Sequence, residues 1–418
     1  VTEYEEPQAV IGSYLHRYAY PDWYAKHQDK NRKLKEGYHH RGGPVACLQL
    51  RGEYLYAAAG KKGFRVYDVA SVANKGVSQR IISAPFGPGG HDTNLKTENA
   101  TCMALPTNQP IAPDRNQGEL MRVTNMEQPF HAMYNYAFIT DAVEGLIAVN
   151  VNTLADGDPR NNILERAKTW NENKILYGAR HISIGGHYAY IAADAGVVIV
   201  DIDDPLSPQL VGVLPVNNAR ATAIQFRYLF VLDDTGMRVA DITLPEEARM
   251  LEDVHVALRD PHRVYVARTY AYVAGGSEGL VIIDVKDPAK PSIYQRFTAN
   301  GKITDARDVV IGAAYASMYA YVADGNSGLK VVQMISPTSQ PNFYGFSPAP
   351  KPELIAWYKT SNPAIALSRG LERDRAVDDS GNQSAVFGRI GSRPFTLEEM
   401  HKLYLDRNKR PWKVSNEE

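Results

Sequence analysis

The alternation of apolar and polar positions divides the chain into short runs of β-branched and aromatic residues, separated by glycine, aspartate and proline. The stretch from His181 to Pro208 shows this most clearly. Ile182 and Ile184 alternate with polar neighbours, Tyr188-Ala189-Tyr190-Ile191 follows, Asp194-Ala195-Gly196 turns, and Val197-Val198-Ile199-Val200 runs into the stop Asp203-Asp204-Pro205. Runs this short, punctuated this often, predict strands and turns, not helices.

The stretch recurs with fixed offsets. Aromatic-x-aromatic pairs stand at Tyr54/Tyr56, Tyr134/Tyr136, Tyr188/Tyr190, Tyr228/Phe230, Tyr270/Tyr272 and Tyr319/Tyr321. Each is followed by a turn glycine, at Gly63, Gly145, Gly196, Gly236, Gly279 and Gly328. Five positions beyond each glycine a polar residue ends the next run: Asp68, Asn150, Asp201, Asp241, Asp284 and Gln333. The uninterrupted period, roughly 40 to 45 residues, is that of a four-stranded propeller blade. One blade cannot bury both its faces, so blades must stack radially around a channel. The pattern therefore predicts an all-β protein, a β-propeller of six blades, with seven as the alternative.

Three segments, Val197-Val198-Ile199-Val200-Asp201, Gly279-Leu280-Val281-Ile282-Ile283-Asp284-Val285 and Gly328-Leu329-Lys330-Val331-Val332, resemble the LVIVD-repeat β-propeller family. The resemblance spans about Pro44 to Thr360. It implies a secreted protein, extracellular, periplasmic or on the cell surface, of bacterial type. Because such propellers are often encoded beside multihaem c-type cytochromes or fused to them, it also suggests a cytochrome partner in extracellular electron transfer. The expected role is a non-catalytic scaffold or accessory subunit. The alternatives are an enzyme (hydrolase, lyase or metal-dependent oxidoreductase) working at the channel mouth, and a surface module that binds glycans or other cells.

Around the repeats the pattern lapses. Residues 1–43 form an N-terminal arm with Tyr14, Tyr18, Tyr20, Trp23 and Tyr24 ahead of a basic run, expected to lie along the propeller or on a neighbour. Blade one is expected from Pro44 to about Phe86, followed by a long inserted loop over about 87–130; the alternative there is a degenerate seventh blade with Leu120-Met121-Arg122-Val123 as a strand, for which Gly118 to Gly145 is too short. Asp156 to Asn162 resembles a calcium loop only superficially, lacking its ligand spacing. The propeller spans 44–360, with Leu354 to Tyr358 as the last strand, and 361–418 is an extension. There Thr396-Leu397-Glu398-Glu399 is a capping box, predicting a helix from about Leu397 to Asp406.

Composition narrows the possible functions. Forty-six basic and forty-seven acidic residues in 418 leave a net charge of −1, which gives no global electrostatic case for nucleic acid or an anionic membrane. No apolar run approaches the roughly 20 residues that span a bilayer. Val1 in place of an initiator methionine suggests a mature or trimmed product. Cys47 and Cys102 permit one disulfide without requiring it, and the inner-strand pattern Cys47-Leu48-Gln49-Leu50 favours two buried, unpaired thiols.

Candidate chemistry gathers on one face. In a propeller the loops entering each inner strand and the loops between strands two and three surround one mouth of the channel. The first set carries Arg180, His181, Arg220, His262, Arg263, Arg307 and Asp308; the second carries Asp194, Asp233 and Asp324. Two readings follow: a belt of arginine–aspartate pairs tying neighbouring blades, or a ring of arginines gripping an anionic partner group through forked hydrogen bonds. No catalytic or metal-binding set emerges: H-E-x-x-H, paired C-x-x-C, G-x-S-x-G and phosphate-loop motifs are all missing. Without C-x-x-C-H the chain has no site for ordinary covalent haem attachment, so no cofactor is expected on it and any haem would reside on the partner.

Overall fold

The computed structural model describes residues 44–51, 54–68, 94–106, 132–154, 164–314, 317–339, 347–368, 389–390, 393–394 and 397–410. Six four-stranded antiparallel sheets follow one another along the chain. Blade one comprises β1 (Cys47–Arg51), β2 (Tyr54–Ala58), β3 (Phe64–Asp68) and β4 (Asn94–Leu95). Blade two comprises β5 (Ala100–Ala104), β6 (Tyr136–Asp141), β7 (Gly145–Asn150) and β8 (Glu165–Trp170). Blade three comprises β9 (His181–Gly185), β10 (Tyr188–Ala193), β11 (Gly196–Asp201) and β12 (Gln209–Leu214). Blade four comprises β13 (Ala221–Gln225), β14 (Tyr228–Leu232), β15 (Gly236–Asp241) and β16 (Arg249–Ala257). Blade five comprises β17 (Arg263–Ala267), β18 (Tyr270–Ala274), β19 (Leu280–Asp284) and β20 (Ser292–Phe297). Blade six comprises β21 (Asp308–Ala314), β22 (Ser317–Ala323), β23 (Leu329–Ile335) and β24 (Glu353–Tyr358). The first strands of successive blades, β1, β5, β9, β13, β17 and β21, pack side by side and line the channel.

The repeat has a physical origin in each blade. Middle strands have a neighbouring blade on both faces, so β10 is buried throughout and reads as a continuous apolar run. Outer strands such as β8 alternate between exposed and half-buried positions. The turn glycine lies where the outer strand's last carbonyl passes over the hairpin: at Gly196 (φ 124°) and Gly328 (φ 81°), a side chain would run into the carbonyls of Leu214 and Tyr358. The polar residue five positions on folds the chain back on itself, the carboxylates of Asp201, Asp241 and Asp284 accepting the backbone N–H two residues later at 2.8 to 2.9 Å.

Four expectations are corrected. Residues 87–130 are not one inserted loop, because β4 there is blade one's outer strand and β5 blade two's inner strand. Blade one therefore reaches Leu95 instead of ending near Phe86. Inner strands carry no aromatic pair, and β5, burying Ala100, Cys102, Met103 and Ala104, gave no repeat signal. In blade two the aromatic pair is Tyr136/Phe138, since Tyr136 pairs with Asn150 as Tyr188 pairs with Asp201, while Tyr134 precedes the strand in the turn Ala132–Asn135. Finally, Cys47 and Cys102 are joined in a disulfide across the inner strands of blades one and two. Adjacent inner strands bring the two side chains together although 55 residues separate them in sequence.

The core is divided among the blade junctions. Five apolar clusters fill the five consecutive junctions, for example Tyr134, Phe138, Leu146, Ile182 and Ile191 between blades two and three. Each fully buried large side chain contributes about 1.5–3 kcal/mol. Among the described residues, the junction from blade six back to blade one is bridged by residues just beyond the last blade. Ala364 pairs with Gly325, the Leu367 N–H donates to Asp308 Oδ2 at 2.7 Å, and the Leu50 N–H donates to Ser368 Oγ at 2.7 Å. Further on, α1 (Leu397–Tyr404) is the expected short helix, two residues shorter than predicted. The arm at 1–43, the candidate strand at 120–123, the turn at 156–162 and the capping Thr396 lie outside the described residues.

Candidate functional site

The channel mouth is built from equivalent positions of successive blades. Just ahead of or at the start of their inner strands, the N–H groups of Arg180, Arg220, His262 and Arg307 donate to the carbonyls of Ala192, Leu232, Ala274 and Ala323. These four side chains thus emerge at the same level on blades three to six. The next residues, His181, Ala221, Arg263 and Asp308, are the first to pair in each inner strand and form a second level. Cys47 and Cys102 hold the same register on blades one and two.

At the upper level Arg180 is ion-paired to Asp194 within its own blade. Arg220 Nη1 donates to Asp260 Oδ1 at 2.6 Å and to the Pro261 carbonyl at 3.0 Å. Asp260 Oδ2 lies 2.9 Å from His262 Nε2, which lies 3.2 Å from Arg307 Nη1, and Arg307 Nε sits 2.6 Å from Asp305 Oδ1. One polar chain therefore runs across the entering loops of blades four, five and six. Burial raises the Asp260 pKa, but the Arg220 hydrogen bond and the nearby His262 outweigh it and hold the carboxyl below its ordinary range. His262 is lowered by burial and by Arg307, against the pull of Asp260. A neutral His262 has one Nε2, which can donate to Asp260 or accept from Arg307, but not both.

At the second level Arg263 reaches across the channel, with Nη1 3.4 Å from the His262 carbonyl and Nη2 3.4 Å from the Ala46 carbonyl of blade one. Burial lowers its pKa, opposed by Asp308. His181 Nδ1 accepts the Thr222 N–H at 3.2 Å, which leaves the ring proton on Nε2. Burial, aided by the Arg263 charge, keeps that imidazole neutral far below its usual titration. Asp308 accepts from the Val309 N–H at 2.8 Å as well as from Leu367. Burial nevertheless pushes it up to about 6, against the pull of Arg263 and both backbone donors.

The Asp308 shift predicts a pH dependence. A carboxyl raised from 3.8 to about 6 in the native state binds a proton more tightly than in the unfolded chain. Its contribution therefore weakens as pH rises through that window and is constant above it, by on the order of 3 kcal/mol in all. His181 has the opposite slope, since a depressed imidazole loses stability as pH falls below its ordinary value. Urea unfolding of wild type and Asp308→Asn at pH 4.5 and 7.5 separates the two. The variant should lose the Asp308 slope and keep that of His181; identical slopes in both proteins would contradict the assignment.

Asp233 and Asp324, expected at the mouth, belong to the interiors of their loops. Asp233, 3 % exposed, accepts from the Thr235 N–H and hydroxyl, the Gly236 N–H and Arg238 Nε at 2.6 to 2.8 Å. Asp324 accepts from the N–H groups of Thr304 and Asp305 at 2.9 and 2.6 Å, with buried Lys330 3.7 Å away. Both aspartates build turns. The residue missed by sequence reasoning is Asp260; its signal was positional, since it stands before Pro261-His262 as Asp305 stands before Ala306-Arg307. The arginine–aspartate belt is partial, because of the three mouth arginines only Arg220 pairs with the carboxylate of a neighbouring blade. Among the described residues no group of three or more His, Cys, Asp or Glu is placed to hold a metal, and no helix is long and apolar enough to cross a membrane.

The LVIVD repeat model matches residues 178–214, 259–299 and 305–346. No curated protein matches the chain. Among solved structures, the β-propeller domain of Cps50 (Swd1) from Myceliophteria thermophila is 11% identical over 78% of this chain and 90% of its own, at a TM-score of 0.45. The computationally designed Ika8 protein is 9% identical over 71% and 73%, at 0.41. The repeat and the fold support a module for protein interaction or scaffolding. The matched stretches are blades three, five and six, and the chain is a six-bladed β-propeller carrying LVIVD repeats.

Proposed function

We propose that this chain is a non-catalytic binding module, a scaffold or accessory subunit of an extracytoplasmic complex, that docks its partner on the loop face around the channel mouth. The observation that carries this reading is the state of the mouth charges. The side chains of Arg180, Arg220 and Arg307 are 38, 31 and 39% exposed, yet each is held by a carboxylate. Charges presented to solvent in fixed positions select partners and speed encounter more than they add affinity. A disulfide between inner strands supports an oxidising compartment. The family resemblance adds the partner class: a multihaem c-type cytochrome, whose haem carboxylates would meet the mouth arginines.

The test is to purify the native complex from its source cells and measure its intact mass and visible spectrum, beside a strain carrying Arg220→Glu and Arg307→Glu. A second protein in fixed ratio, lost in the double variant, is the expected result. Haem absorption in that complex supports the cytochrome, and a colourless complex removes it. A chain that travels alone overturns the scaffold reading.

A further inference from the structure

At the upper ends of blades four and five lies an open cleft of about 690 Å³ bordered by Arg259, Ser277, Glu278, Arg296 and Thr298. We propose that this cleft is an oxyanion subsite, taking a carboxylate or phosphate group. Glu278 Oε2 accepts the Arg259 backbone N–H at 2.8 Å, and its Oε1 accepts Arg296 Nε–H at 2.8 Å. Between blades one and two the same device recurs: Glu144 Oε1 accepts the Glu98 N–H at 2.9 Å, and Glu144 is ion-paired to Arg166.

The shared parts, a carboxylate capping the entering loop and an arginine on the outer strand, are what the fold uses. The side chain at the capped position is free to differ, and it is glutamate at 98 and arginine at 259. Among the described residues no carboxylate pairs with the exposed Arg259 guanidinium. Two arginines thus face one carboxylate in the cleft, whereas Glu98, Glu144 and Arg166 leave the opposite balance between blades one and two. The neighbouring Asp260 does not cancel the excess, being engaged by Arg220 and His262. The Arg259 fork, the Nη groups of Arg296 and the hydroxyls of Ser277 and Thr298 form a donor set suited to a forked oxyanion.

The test is isothermal titration of the full chain with three probes: succinate, inorganic phosphate and a tetraglutamate peptide. Arg259→Gln should weaken whichever probe binds by about tenfold, the loss expected for one charge-assisted hydrogen-bond set. Arg259→Glu should abolish binding, while Arg249→Gln, at the opposite end of β16, should leave it unchanged. Binding of succinate or phosphate on its own assigns the site to a free anion, and binding of the peptide alone assigns it to an acidic segment of a protein. No binding of any probe at millimolar concentration, or equal affinity in wild type and Arg259→Gln, overturns the proposal.

Discussion

Gly196→Ala is expected to destabilise the propeller by about 3 kcal/mol or more, and Gly212→Ala, in the same blade, by no more than about 0.5 kcal/mol. At Gly196 two effects add. Its φ of 124° is a backbone conformation that a side chain resists, at about 1–3 kcal/mol. The new methyl would also strike the Leu214 carbonyl and lie 3.2 Å from the Val216 nitrogen. Both are backbone atoms, so no side chain can rotate away, and β11 and β12 must separate where Val197 pairs with Leu214. Forcing such an overlap typically costs another 1–3 kcal/mol. Gly212 has no atom within 4 Å of its would-be Cβ, so its alanine variant controls for the substitution itself. Urea midpoints measured by far-ultraviolet circular dichroism decide it, and equal midpoints for the two variants would refute this role for the repeat glycine.

The second large effect is loss of the disulfide. Opening a loop between residues 55 apart in sequence returns conformational freedom mainly to the unfolded chain, a contribution of about 4 kcal/mol in the loop-entropy account. The double variant Cys47→Ala, Cys102→Ala is therefore expected to lose about 2–4 kcal/mol, and reductant should lower wild type to the same level. A wild type indifferent to reductant would mean that the cysteines are not joined in solution. Sequence reasoning favoured free thiols because an inner-strand pattern reads as burial. It could not show that two such strands would be neighbours, since the second was hidden in what looked like a loop.

That difference marks how far the sequence could be read. The middle of each blade was legible because every blade solves the same three problems with the same residues: an aromatic at the start of strand two, a glycine under the outer carbonyl, and a polar residue closing the turn after strand three. The inner strands are not constrained in that way. They face the channel, and one register position holds Cys47, Cys102, His181, Ala221, Arg263 and Asp308, six residues with little in common. The mouth arginines were legible because they precede those strands at a constant offset. Asp233 and Asp324 were misjudged because an aspartate in a hairpin has a local task, binding the N–H groups of its own loop or the next, that sequence cannot tell from an outward-facing charge. The contacts of Leu367 and Ser368 lie beyond the last repeat and join residues far apart in sequence, so no period announces them.

The crossing of Ala364 to Ser368 over the gap between blades six and one gives the ring a mechanical character. Tension applied beyond Ser368 does not spread evenly round the circle. It falls first on the Ala364–Gly325 bridge and on the bonds to Asp308 and Leu50, a handful of polar links loaded together. The seam is therefore where a pulling measurement is expected to register the first yield.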